Sequence, residues 1–214
     1  MYKNKSLFIV FEGIEGSGKS YLSKKLYNNL KKRGFNLVKT REPGGTPGAE
    51  RIRKVILKDY FGKKNNEQFD KYTDTLLYLA ARNEHLKKKI EPALKKKKIV
   101  ICDRFIDSTT AYQVSGKIVN PNFIENIHHE ILGNNKPNLT FVLKVNINTA
   151  MKRMKKRKIK NRYDKFPKAF YIKAQNAFIR IANKNKKKYC ILDNSKDSIE
   201  IEKNILNIVL KKLN

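Results

Sequence analysis

Residues 13–20 read Gly-Ile-Glu-Gly-Ser-Gly-Lys-Ser and directly follow the apolar run Leu7-Phe8-Ile9-Val10-Phe11 and Glu12. The run has the length and character of a strand buried on both faces. From Lys19 to about Lys32 the apolar positions follow a helical period. Between strand and helix, Gly13, Gly16 and Gly18 let the backbone fold back with its N–H groups turned inward, and Ile14, Glu15 and Ser17 complete the loop. Such a strand–loop–helix unit is a receptor for polyphosphate. Lys19 sets a cation against the β- and γ-phosphates, and the Ser20 hydroxyl can ligate Mg²⁺. The positive end of the helix dipole adds to both. The flanking strand and helix favour this reading over a merely structural glycine-rich turn.

The rest of the chain alternates in the same way. Strands are expected at Leu7 to Phe11, Asn36 to Lys39, Ile99 to Cys102, Leu139 to Val145 and Tyr189 to Leu192. Helical patterns cover Lys19 to Lys32, Gly48 to Leu57, Asp70 to Glu91, Phe123 to Ile131, Pro167 to Asn183 and Ile199 to Leu210. This order predicts an α/β, three-layer P-loop NTPase fold, with a five-stranded, mostly parallel sheet flanked by helices. The 214 residues are expected to form one domain. One composition shift stands out, Met151 to Lys168, where lysine and arginine dominate. It reads either as a solvated, self-repelling helix end or as a short basic lid over polyphosphate. Its place after a strand in a triphosphate-binding chain favours the lid.

Lys and Arg number 49 against 19 Asp and Glu, a formal net charge of +30. Such a charge raises a nucleic-acid-binding reading. The lysines, however, recur on nearly every expected helix instead of forming one patch, and asparagine is abundant too. Lysine and asparagine share A-rich codons, so an A/T-biased genome would give this composition without selection for binding. No specific nucleic-acid partner is expected. No apolar run approaches the ~20 residues that cross a bilayer, and the short N-terminus leaves no room for a cleaved signal peptide. Cys102 and Cys190 lie in strand-like segments and read as buried, reduced thiols of a cytoplasmic protein. Asn138-Leu139-Thr140 matches a glycosylation acceptor but lacks a secretory context.

Two segments bear on what receives the phosphoryl group. After the second strand comes Arg41-Glu42-Pro43-Gly44-Gly45-Thr46; after the third, Asp103-Arg104-Phe105-Ile106-Asp107-Ser108-Thr109-Thr110-Ala111-Tyr112-Gln113. Both follow carboxyl ends of strands, where open α/β sheets bind ligands. With these segments, and with Leu76 to Arg82, Ile90 to Leu94 and Lys136 to Thr140, the chain closely resembles the bacterial thymidylate kinases from its first strand to at least Ala182. The resemblance implies transfer of phosphoryl from ATP to dTMP, with Mg²⁺, in a homodimer.

A phosphate monoester acceptor brings an oxygen that is already ionised, so the difficulty is repulsion between polyanions, not deprotonation. Arg104 and Arg53 suit the acceptor phosphate, since guanidinium binds it bidentately, and the resemblance gives them that role. Asp103 ends its strand where such enzymes hold an acid for Mg²⁺ or its waters, and Glu42 is a second candidate for the metal and phosphate environment. The base pocket is implied by the resemblance alone. Tyr78 stands where many relatives stack a phenylalanine on thymine, and its added hydroxyl needs a partner. Arg82 would hydrogen-bond thymine O4. Ser108, Thr109 and Gln113 belong to the substrate segment, the last two at the pyrimidine edge. Tyr112 would pack under the sugar and exclude a 2′-hydroxyl. Glu15 would contact the 3′-hydroxyl and help position the lid. With Gly16 where some relatives carry a catalytic arginine, the lid residues Arg153 and Arg157 become the candidates for the transferred phosphoryl, with Arg162 a third. His85, His128 and His129 read as helix-face or surface positions without chemistry. The alternatives are another nucleoside or nucleotide kinase on the same scaffold, and a basic nucleic-acid-binding protein.

Overall fold

The computed structural model describes residues 6–57, 68–156, 162–196 and 199–213. Strands β1 (Leu7–Glu12), β2 (Leu37–Arg41), β3 (Ile99–Asp103), β4 (Leu139–Lys144) and β5 (Tyr189–Asp193) form one sheet in the order β2-β3-β1-β4-β5. All four pairings are parallel. The helices are α1 (Lys19–Lys32), α2 (Pro47–Leu57), α3 (Lys71–His85), α4 (Glu91–Lys95), α5 (Ile106–Thr109), α6 (Pro121–Leu132), α7 (Ile147–Lys155), α8 (Lys168–Lys184) and α9 (Ile199–Leu213).

β1 shows why the chain makes three layers. It is buried along its whole length and central in the sheet. Its odd residues Leu7, Ile9 and Phe11 pack with Leu22, Leu26 and Leu30 of α1 and with Ile205 and Val209 of α9. Its even residues Phe8 and Val10 face the other way, onto Val100, Phe105, Leu86 and Ile90. The period-2 strand thus feeds two cores, while the fourfold spacing of the three leucines gives α1 one apolar stripe. Each such side chain contributes about 1.5–3 kcal/mol by its burial. A third cluster joins Ile14, Val142, Ala150 and Met154 to Tyr112, Tyr163, Tyr171 and Phe178. Register then sets the site. Phe11 and Arg41 both pair with Asp103, so the carboxyl ends of β1, β2 and β3 stop side by side.

The structure departs from the sequence expectation in four places. The helix expected over Asp70 to Glu91 begins at Lys71, capped by the Asp70 side chain, and widens into a π turn over Leu86–Ile90 before α4. Pro92 has no N–H to give the preceding turn, and the wider turn absorbs the defect. Residues 106–114, read only as a motif, form α5 and a second π turn. Met151–Lys155, the start of the segment expected as a lid, forms the packed end of a helix, α7, that no helical pattern had marked. Asn146 caps that helix, and Ala150 and Met154 are buried. Arg157 and its neighbours to residue 161 lie outside the described residues. Cys102 is buried as expected, but Cys190 is only half-buried, on the edge strand.

Candidate active site

The loop after β1 is shaped by glycine and closed by its own lysine. Gly13 (φ 136°) and Gly16 (φ 74°) hold backbone conformations that side chains disfavour. A Cβ on Gly16 would stand 2.5 Å from the Ala150 carbonyl oxygen of α7. The Lys19 ammonium donates to the Ile14 carbonyl at 2.7 Å and to Ser17 Oγ at 3.3 Å. Ser17 and Ile14 are fully buried beneath it. Burial, and next the Arg104 charge, push the Lys19 ammonium down to about 7. Gly18 starts α1 without a side-chain cap, and no acid occupies the first turn. The helix end therefore keeps its affinity for anions. Ser20 donates a short hydrogen bond to Asp103 Oδ2. Asp103 Oδ1 is buried and has no hydrogen-bond partner among the described residues.

Arg104 joins this loop to the next segment. Its backbone (φ 73°) is anchored by donation to the Phe11 carbonyl, which turns the side chain back across the loop. The guanidinium donates to the Gly13 carbonyl (2.9 Å), Ser108 Oγ (3.1 Å) and Glu15 Oε1 (2.7 Å). Tyr112 donates to the other Glu15 oxygen at 2.5 Å. Burial would raise the Glu15 carboxyl, but Arg104 and Lys19 outweigh it and hold it below the usual range. Beneath Arg104 lies Glu12, fully buried. It accepts from the Phe105 and Ser108 N–H groups and from the Ser108 hydroxyl, so it caps the short helix α5. Burial, with Asp107 next, raises Glu12 to about 8.

A second buried network lies toward β2. Arg82 is 2% exposed and commits four of its five N–H groups. These go to Glu42 Oε2 (2.7 Å), Thr109 Oγ1 (2.7 Å), His128 Nε2 (2.8 Å) and the Phe105 carbonyl (2.8 Å). The other Glu42 oxygen meets His85 Nδ1 at 3.1 Å, and His85 Nε2 meets Thr40 Oγ1 at 2.6 Å. Burial works against the Glu42 charge, yet Arg82 and His85 leave its carboxyl below the ordinary range. Arg53 donates to the Pro43 carbonyl at 2.7 Å. The loop and both networks border one cleft of about 450 Å³, whose wall includes Lys19, Asp103, Arg104, Arg53, Tyr78 and Gln113.

The sequence profile of the thymidylate kinase family matches residues 11–205. The chain belongs to the thymidylate kinase family. It is 38% identical to the thymidylate kinase of Mycoplasma capricolum over 209 residues, covering 97% of this chain and 96% of that one. It is 39% identical to that of Chlamydia felis over 189 residues, 87% of this chain and 89% of the other. A crystal structure of thymidylate kinase from Ehrlichia chaffeensis matches with a TM-score of 0.74 at 31% identity, covering 96% of this chain and 99% of that chain.

Against this family background, several residues stand differently from the sequence expectation. Glu42 lines the cleft, and its two oxygens also serve Arg82 and His85. His85 does lie on a helix, α3, but on its fully buried side. His128 is half-buried against Arg82, and burial followed by that charge pushes its imidazole down to about 3. Only His129 is an exposed histidine of the kind expected. Arg153 lines the cleft, its guanidinium donating to the carbonyls of Gly16 (3.1 Å) and Asn194 (3.0 Å). Arg162 sits by Tyr78 and Tyr163. Sequence reasoning missed Glu12, Thr40, Tyr163 and Asn194, whose Nδ2 holds the Ser17 carbonyl at 2.8 Å. For Glu12 a signal existed: a charged residue ending a run buried on both faces requires partners.

Proposed function

We propose that this chain transfers the γ-phosphoryl group of ATP to dTMP, giving ADP and dTDP for dTTP synthesis. One observation carries this reading beyond family membership. The triphosphate loop and the arginine-lined pocket open into the same cleft, and the Glu15–Arg104 ion pair joins them. An ionised oxygen of the acceptor phosphate attacks the γ-phosphorus, the bond to the β–γ bridging oxygen breaks, and ADP leaves. No general base is needed, so the side chains position and neutralise. Arg104 and Arg53 grip the acceptor phosphate. Lys19 and the loop N–H groups hold the donor, and Arg153, at the loop's edge, is the candidate for the transferred group, together with Arg157.

Tyr78 supplies the stacking face for the base. The remaining Arg82 N–H and Gln113 Nε2 supply donors to its carbonyls; the latter is buried and has no partner among the described residues. Thr109 holds Arg82, Ser108 holds Arg104, and Tyr112 walls the sugar. The site fits Mg²⁺: the Ser20 hydroxyl and the Asp103 carboxylate are adjacent hard oxygen donors, and one carboxylate oxygen lacks a partner. Bound there with the donor phosphates, Mg²⁺ would neutralise charge on the β- and γ-oxygens. An acceptor panel of dTMP, dUMP, dCMP, dGMP and thymidine, with ATP and Mg²⁺, tests the reading. dTMP should give the highest kcat/KM; a purine monophosphate or thymidine leading the panel would sink it.

A further inference from the structure

Tyr163 lies within the basic segment, yet it is buried and lines the cleft. Its hydroxyl forms a short hydrogen bond with the hydroxyl of Tyr78. Its ring meets Tyr112 edge-on, centroids 5.5 Å apart at 83°. Tyr163 thus touches the two aromatic residues assigned to base and sugar. Arg162 fixes it from outside, with the guanidinium carbon 5.2 Å from the Tyr163 ring centroid and Nη2 3.4 Å from each of the two hydroxyls. Arg162 is itself held by Asp74 of α3 at 2.5 Å, and the second Asp74 oxygen takes Lys117 at 2.8 Å. Asp74 is fully buried. From behind, the Tyr171 hydroxyl donates to the Tyr163 carbonyl.

A buried phenol needs a hydrogen-bond partner, and a phenylalanine at position 78 would need none. The partner that Tyr78 requires is supplied by a residue 85 positions away. Burial raises both phenols above their ordinary values, so the pair keeps its protons throughout the neutral range.

We propose that Tyr163 is a positioning residue of the acceptor pocket, setting the separation of the Tyr78 and Tyr112 rings, and that Asp74 anchors it through Arg162. This rests on the acceptor reading given above. Its substrate consequence falls on the nucleoside half of the acceptor, since the two rings that Tyr163 touches are those assigned to base and sugar.

Steady-state kinetics of Tyr78→Phe, Tyr163→Phe and the double variant, with dTMP varied at saturating ATP and ATP varied at saturating dTMP, tests it. Both changes keep the rings and delete one hydroxyl. Each single variant should raise KM for dTMP about three- to tenfold, with kcat and KM for ATP within about twofold. The double variant should be no worse than the poorer single, because both changes remove the same contact. Asp74→Asn should reproduce the rise in KM; should it fail to fold, the phenylalanine cycle decides alone. An unchanged KM in Tyr163→Phe, additive effects, or equal rises in KM for ATP and dTMP would overturn the proposal. A wild-type enzyme preferring another acceptor overturns the functional reading instead, and the same KM comparison is then made with that acceptor.

Discussion

The donor loop and the acceptor pocket are built by different means. The loop is one contiguous stretch of eight residues in which glycine geometry and backbone groups do most of the work, helped by one lysine. The pocket is assembled from side chains on α2, α3 and α5 and on the segments that follow β2, β3, α5 and α7. Its order depends on buried ion pairs: Arg104 with Glu15, Arg82 with Glu42, Arg162 with Asp74. A backbone site tolerates sequence change around it as long as its turns survive. A pocket of paired charges does not, because removing one partner strands the other in a low-dielectric interior at a cost of about 3–5 kcal/mol.

The contrast is strongest at Arg104, which belongs to both halves. Arg104→Ala should lower dTMP phosphorylation by about 10³-fold while leaving ATP affinity within about threefold. Isothermal titration with ATP alongside turnover assays checks this, and a parallel loss of ATP binding would erase the distinction between the halves. Glu42→Gln is the next test. With Arg82 deprived of its counter-charge, KM for dTMP should rise about tenfold and Tm fall by about 5–10 °C, ATP affinity holding. A normal dTMP KM would mean that His128, Thr109 and the Phe105 carbonyl suffice to orient Arg82. The smallest effect belongs to the donor side. Lys19 sits near 7 in the free enzyme because it is buried and beside Arg104. Bound triphosphate would raise it, so binding takes up a proton once pH exceeds 7. Affinity for ATP should therefore fall about fivefold between pH 7 and 8. Calorimetry in buffers of different ionisation enthalpy measures the proton uptake, and a flat profile from pH 7 to 9 would refute it.

Legibility follows the same division. Gly13 to Ser20 could be read because its chemistry is local. All five strands could be read because β-branched and aromatic runs lie between helices of clear period. Helix α7 could not, although Ile147, Ala150, Met151 and Met154 fall at helical spacing, since the surrounding lysines and arginines drew attention to charge. Nor could the role of His85 or His128, whose partners Thr40, Glu42 and Arg82 lie in distant segments. A histidine on a helix has no local sign that distinguishes a buried hydrogen-bond acceptor from a solvated face. Tyr78 showed the demand for a partner, but only the folded chain identifies Tyr163 as the supplier.

The contact between Gly16 and the Ala150 backbone has an evolutionary reading. In this chain an arginine at position 16 would collide with main chain, which cannot rotate away as a side chain can. Such a substitution is deleterious until α7 moves. What may stand at position 16 is therefore decided by the placement of a helix more than a hundred residues further along the chain.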